Sequence, residues 1–229
     1  MPVISVDVLD HGFVKLIDSM GDDLRTVNAA RISYAKHKDT FDEKDAELIN
    51  YLAEHEHTAP FRHNMLTFHI KAPIFVFRQW MRYKVASDFN EISGRYVDLS
   101  DVQIHLPSTF RRQAVVNKQG SEGEIDPDNI PKARELFRNS ALAQIEDYKE
   151  ALALGICREQ ARELLPLGMY SEVYWTASLQ TVAWFIHQRT DSHAQWEIQQ
   201  YAKAVENLTA TKFNISLDAL LKCFNHSNI

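Results

Sequence analysis

Near the start of the chain, apolar and polar residues take turns. Ile4, Val6 and Val8 alternate with Ser5 and Asp7, which predicts a strand over residues 3–9. The period then lengthens. Between residues 22 and 34, Leu24, Val27, Arg31 and Tyr34 recur at helical spacing, and Thr40 with Glu43 forms a capping-box pattern ahead of a second helix carrying Leu48, Ile49 and Leu52. Alternation returns over residues 65–72, with Leu66, Phe68 and Ile70 on one face and Thr67, His69 and Lys71 on the other. Pro73 opens a helix to about residue 84. Residues 94–99 and 102–106 read as short strands, and the polar stretch 107–129 as a mobile loop or lid. Pro131 starts a long helix with Phe137, Ala141, Ile145, Tyr148 and Leu152 inward, and Gly155 stops it. A short helix over 157–164 follows. Val173, Trp175 and Ala177 then alternate as a strand before a helix over 179–188. Ser192 and Gln195 make a second capping box, and Ala194, Ile198, Tyr201, Val205 and Leu208 form the buried stripe beyond it. The pattern fits an α+β fold, a small antiparallel sheet with helices on one side, as a single domain over residues 1–229.

Composition narrows the chemistry. A net charge of −6 argues against a long nucleic-acid partner. No apolar run approaches the roughly 20 residues of a membrane span, and the acidic N-terminus does not read as a secretory signal. Two cysteines in 229 residues point to a reducing compartment, the cytoplasm by default; Cys157 reads as a buried, inert thiol. Seven glycines supply neither a dinucleotide fingerprint nor a phosphate loop, so a phosphate must be held by side chains and helix ends. His55, His57 and His63 miss the spacing of a helical zinc motif, and no metal is expected.

Those side chains are concentrated over residues 78–96, RQWMRYKVASDFNEISGRY. Arg78, Arg82, Lys84 and Arg95 stand among Gln79, Ser87, Asn90, Glu91 and Ser93. Guanidinium forks match phosphate, and amides and hydroxyls match the edge of a base, so the segment reads as a nucleoside monophosphate site. Arg189 ends a helix, where the dipole alone favours a cation. Arg158 and Arg162 lie a turn apart, interleaved with Glu159 and Glu163, which also suits a solvated ion-pair face.

The 78–96 segment, together with RTDSHAQWEIQQYA, resembles the flavin-dependent thymidylate synthase (ThyX) family, and the likeness runs along nearly the whole chain. The resemblance implies C5 methylation of dUMP to dTMP in a homotetramer with sites shared between subunits. It further implies methylenetetrahydrofolate as one-carbon donor, FAD as cofactor and NADPH as reductant. Carried over by match, Gln79, Arg82, Glu91, Ser93, Arg95, Arg162 and Arg189 hold the nucleotide, and Arg189 polarises the uracil. Ser33, His57, Arg62, Tyr83, Lys84, Val85, Asn90, Gln180 and His193 fall on the flavin side. That side departs from the family pattern. Arg-His-Arg reads Arg82-Tyr83-Lys84, Thr-Pro-Phe-Glu-His reads Ala59-Pro60-Phe61-Arg62-His63, Asn-x-Arg reads Ser178-Leu179-Gln180, and Trp184 replaces a polar residue. Two other readings stay open on the residues: a different C5 one-carbon transfer, such as hydroxymethylation without flavin, and a nucleotide-binding regulator without chemistry.

Overall fold

The computed structural model describes residues 4–226. Five strands form one antiparallel sheet in the order β1 (Ile4–Val8), β2 (Gly12–Met20), β3 (Met65–Pro73), β7 (Tyr170–Ser178), β4 (Ser87–Glu91). Leu66, Phe68 and Ile70 of β3 are wholly buried, as are Trp175 and Ala177 of β7. They face α6 (Leu179–Thr190) and α7 (Trp196–Ala210), whose Val182, Phe185, Ile198, Tyr201 and Val205 complete the core, and α8 (Asn214–His226) packs against α6 and α7. Thr67, His69 and Lys71 stand on the other face and cross to β7: Thr67 bonds Thr176 at 3.0 Å and His69 bonds Glu172 at 2.7 Å. At the β1–β2 turn Gly12 is obligatory, since a Cβ there would sit 2.0 Å from the Tyr201 hydroxyl and 2.7 Å from the Lys71 carbonyl.

The first helix, α1 (Asp23–Arg31), continues as a 3-10 turn over Ile32–Tyr34, and α2 spans Glu43–Glu54. The capping box of α2 is Asp42 with Asp45, two residues beyond the expected Thr40 pair. The Asp45 carboxylate, fully buried, also forms ion pairs with Lys38 and Arg31. Burial pushes the Asp45 carboxyl up, but hydrogen bonds from Lys38, the Asp42 N–H and Arg31 outweigh it and hold it at about 2.

Several expectations need correction. The helix after Pro73 is α3 (Ile74–Trp80), and it ends four residues early. The chain turns there because Trp80 is wholly buried, stacked on Phe185 at 4.4 Å and edge-on to Trp175 at 5.4 Å. Residues 94–99 form a turn in which the Ser93 carbonyl accepts from Tyr96 and Val97. Of 102–106 only Ile104 bridges, to Met169. The stretch 107–129 contains a hairpin, β5 (Arg111–Gln113) with β6 (Ser121–Glu124). On α4 (Ile130–Ala153) Phe137 is 48% exposed, while Ala141, Ile145 and Tyr148 are buried as expected and Gly155 takes a φ of 87° past its end. The residues after α4 form α5 (Arg158–Ala161) and a 3-10 turn over Arg162–Leu164. Gln195 caps α7 with no side-chain bond, so Ser192 and Gln195 make no capping box; Asp191 instead accepts from the His193 N–H. Cys157 is exposed, not buried. Val3 lies outside the described residues.

Candidate active site

The burial of Trp80 decides where the cations go. Having ended α3 against Phe185, the chain runs through Arg82-Tyr83-Lys84-Val85 alongside α6. Two bonds pin this turn: the Thr181 hydroxyl donates to the Val85 carbonyl at 2.5 Å and the Ser178 N–H to the Ala86 carbonyl at 3.0 Å. Ala86 sits at φ 48°, a left-handed conformation that reverses the backbone into β4.

A cavity of about 460 Å³ lies between this turn and α6. Arg62, Arg82, Tyr83, Lys84, Val85, Gln180 and Arg189 line it together with Thr181, Trp184, Gln188 and Phe224. Its lining contains no Asp or Glu. Arg62 is held by the Gln180 carbonyl oxygen at 3.0 Å and by the Thr58 hydroxyl at 3.2 Å. The Arg189 guanidinium lies 5.4 Å from the centre of the Tyr83 ring, and the Tyr83 hydroxyl donates to Gln188 at 3.1 Å. Among the described residues, Arg189 Nε is buried without a hydrogen-bond partner. Burial pushes the Tyr83 phenol up, against the opposing pull of Arg189 and Arg82. Tyr83 is thus a neutral platform that braces the arginine from one side. Clustered cations with no neutralising carboxylate, one of them holding a buried unsatisfied N–H, make a site for an anion.

The remaining expected nucleotide ligands gather elsewhere. Glu91 at the end of β4 accepts from the Ser171 hydroxyl at 2.7 Å, and Glu91 and Arg162 line a second cavity of about 710 Å³. Gly94 packs on the Arg162 side chain, and a Cβ there would meet its Cδ at 3.4 Å. Arg95 pairs with Glu159 at 3.0 Å, and its N–H bonds the Ser93 hydroxyl at 3.3 Å. Within one chain, then, Arg82 and Arg189 share one cavity, while Arg95 and Arg162 belong to another neighbourhood. Gln79, on α3, donates to Gln195 at 2.8 Å. Ser33, His57, Asn90 and His193 are exposed outside the cation cavity, on the turn after α1, the turn after α2, β4 and the α6–α7 turn respectively. His55 stacks on Tyr51 at 4.0 Å, and among the described residues no cluster of His, Cys, Asp or Glu suits a metal. Among the described residues, no helix is long and apolar enough to cross a membrane.

Expectation missed Thr181, Gln188 and Phe224 and left Trp184 as a departure. A signal was present: Gln180, Trp184 and Gln188 recur every fourth residue along α6, one stripe facing the cavity.

The family model described as "Thymidylate synthase complementing protein" matches residues 15–213. The chain belongs to this family. A flavin-dependent thymidylate synthase from Thermosipho africanus is 45% identical over 94% of the chain and 93% of its own length. One from Thermus thermophilus is 45% identical over 90% of the chain and 74% of its own length. Among solved structures, the UMP/dUMP methylase PolB from Streptomyces cacaoi bound with 5-Br dUMP superposes with a TM-score of 0.81 at 30% identity, covering 93% and 96% of the two chains. The PolB methylase shares the α+β fold, and this member of the thymidylate synthase complementing family is an enzyme.

Proposed function

We propose that the protein methylates C5 of dUMP to form dTMP, with methylenetetrahydrofolate as one-carbon donor, FAD as cofactor and NADPH as reductant. The observation that carries the reading is the carboxylate-free cavity in which Arg189 keeps a buried, unsatisfied Nε over a neutral tyrosine. Uracil C5 becomes nucleophilic as negative charge gathers on the ring's N3–O4 side. A fixed guanidinium beside those atoms stabilises that charge in a water-poor setting, so no covalent cysteine is required. Arg82, Arg95, Arg162 and Ser93 bind the phosphate, Gln79 and Glu91 orient the nucleoside, and Arg189 is the catalytic residue.

Flavin fits the same surroundings. Arg62 and Lys84 supply cations for a diphosphate, Trp184 (39% exposed) offers a flat face, and Gln180 and Val85 complete the wall. Bound flavin supplies the hydride and carries the one-carbon unit. Ser33, His57, Asn90 and His193 join from their separate surfaces.

Because one chain separates Arg82 and Arg189 from Arg95 and Arg162, we place the complete site between subunits of a homotetramer. Exposed apolar side chains near both halves support this: Val85 at 77%, and Tyr96, Val97, Leu164 and Leu167 at 78, 47, 41 and 56%. We infer a single catalytic domain acting in the cytoplasm on small molecules. The reading is tested by incubating the purified protein, scanned for flavin absorbance, with dUMP, methylenetetrahydrofolate and NADPH. A yellow protein that forms dTMP supports it. A colourless protein releasing a heavier product, or one that binds dUMP without turnover, overturns it.

A further inference from the structure

The β5–β6 hairpin is tied into the fold by Arg111. Its Nη2 lies 2.8 and 3.0 Å from the two carboxylate oxygens of Glu197, and its Nε lies 3.1 Å from Ser121 Oγ. Glu197, in the first turn of α7, is 4% exposed. Gln195 Nε2 donates to Glu197 Oε2 at 2.9 Å, and Gln79 Nε2 donates to Gln195 Oε1 at 2.8 Å. The chain of bonds therefore runs from the hairpin, through a buried carboxylate, to a residue of the proposed nucleotide site.

Its direction is dictated by chemistry. An ionised carboxylate paired with arginine only accepts, whereas an amide has an accepting end and a donating end that exchange by a simple flip. Gln195 must turn its NH₂ toward Glu197, which leaves its carbonyl oxygen for Gln79. Gln79 must then spend one N–H on Gln195. What it keeps for a ligand is its carbonyl oxygen and one N–H, in fixed places. We propose that Glu197 is a positioning residue, which through Gln195 sets the amide polarity of Gln79 and so the affinity for the nucleotide. The hairpin, by holding Glu197 with Arg111, becomes part of the substrate site without touching substrate. This rests on the reading of Gln79 as a nucleotide ligand.

The test is calorimetric titration of dUMP into the intact enzyme, alongside steady-state kinetics. Gln195→Leu leaves the Arg111–Glu197 pair in place and changes an exposed residue, so folding is not at stake. It is expected to raise the dUMP Kd and KM by about three- to tenfold, the worth of one oriented hydrogen bond, with kcat at saturation nearly unchanged. Glu197→Gln, which restores the amides' freedom to flip, should do the same. In a Gln79→Ala background neither change should weaken binding further, because both act through Gln79. Effects that add fully to Gln79→Ala would mean a merely structural role and overturn the proposal. So would Gln195→Leu binding dUMP like wild type while Gln79→Ala binds it weakly. If Gln79→Ala itself binds dUMP normally, the reading of Gln79 falls first and the proposal with it.

Discussion

Cations are treated in opposite ways in two regions of this molecule. At the α1–α2 corner, Arg31 and Lys38 meet the buried carboxylate of Asp45, and Lys38 also reaches Asp42 at 2.7 Å. Between the 82–85 turn and α6, Arg62, Arg82, Lys84 and Arg189 line a cavity whose lining has no acidic side chain. The residue types are alike, so type alone separates nothing. Charge balance does: the corner is neutralised as folded, which favours stability, whereas the cavity is left in need of an anion, which is why we propose it for binding and catalysis at some cost to stability.

The largest effect that would sharpen the contrast is on catalysis. Arg189→Ala should lower kcat by about 10²–10³, as for loss of one preorganised donor to developing charge, while its melting temperature stays level or rises. A drop in stability with intact turnover would break the comparison. At the corner the reverse holds. Asp45→Ala should cost about 3 kcal/mol in chemical denaturation, near the low end for a broken buried pair because Arg31 and Lys38 keep some solvent access, with kcat per folded molecule unchanged.

Acid should dissect the corner further. Asp45 is held at about 2, below its ordinary 3.8, so its contribution to stability is complete above the ordinary range and disappears as pH falls through about 2. Denaturation midpoints measured between those limits should fall more steeply in the wild type than in Asp45→Ala. Parallel curves would show that the corner is not a linked ion network. The smallest effects concern the brace under Arg189. Tyr83→Phe keeps the ring and loses the hydroxyl with its bond to Gln188, so kcat should fall by about threefold or less. Tyr83→Ala removes the cation–ring contact and should cost about tenfold. Equal losses in the two variants would show that the hydroxyl, not the ring, holds the guanidinium.

What was legible in the sequence follows from how each element is buried. β3 and β7 alternate cleanly because one face of each packs on helices, and both were found. β2 escaped because its register shifts between Leu16 and Asp18, which leaves Ile17 at 37% exposure and spoils the alternation. β4 is a polar edge strand whose Phe89 alone packs on the core, so it exists through its ladder to β7 and not through pattern. The hairpin β5–β6 reads as a loop because Ser121–Glu124 is exposed throughout, and Arg111–Glu197, a contact between distant residues, anchors it. For the candidate site, residue types and the likeness to the family named Arg82 and Arg189. Only the packing of Trp80 on Phe185 explains why they meet, and only the folded chain shows that Arg95 and Arg162 stand apart from them.

That separation is the most exposed part of the account, since the site we propose draws cations from two subunits. Mixing two inactive variants tests it directly: Arg189→Ala and Arg162→Ala, denatured together and refolded at equal concentration, then assayed for dTMP formation. If one site draws Arg189 and Arg162 from different chains, about a quarter of the sites in random tetramers regain both arginines and activity returns to roughly that fraction of wild type. A mixture as inactive as either parent would place both residues in the same chain's site and contradict the account.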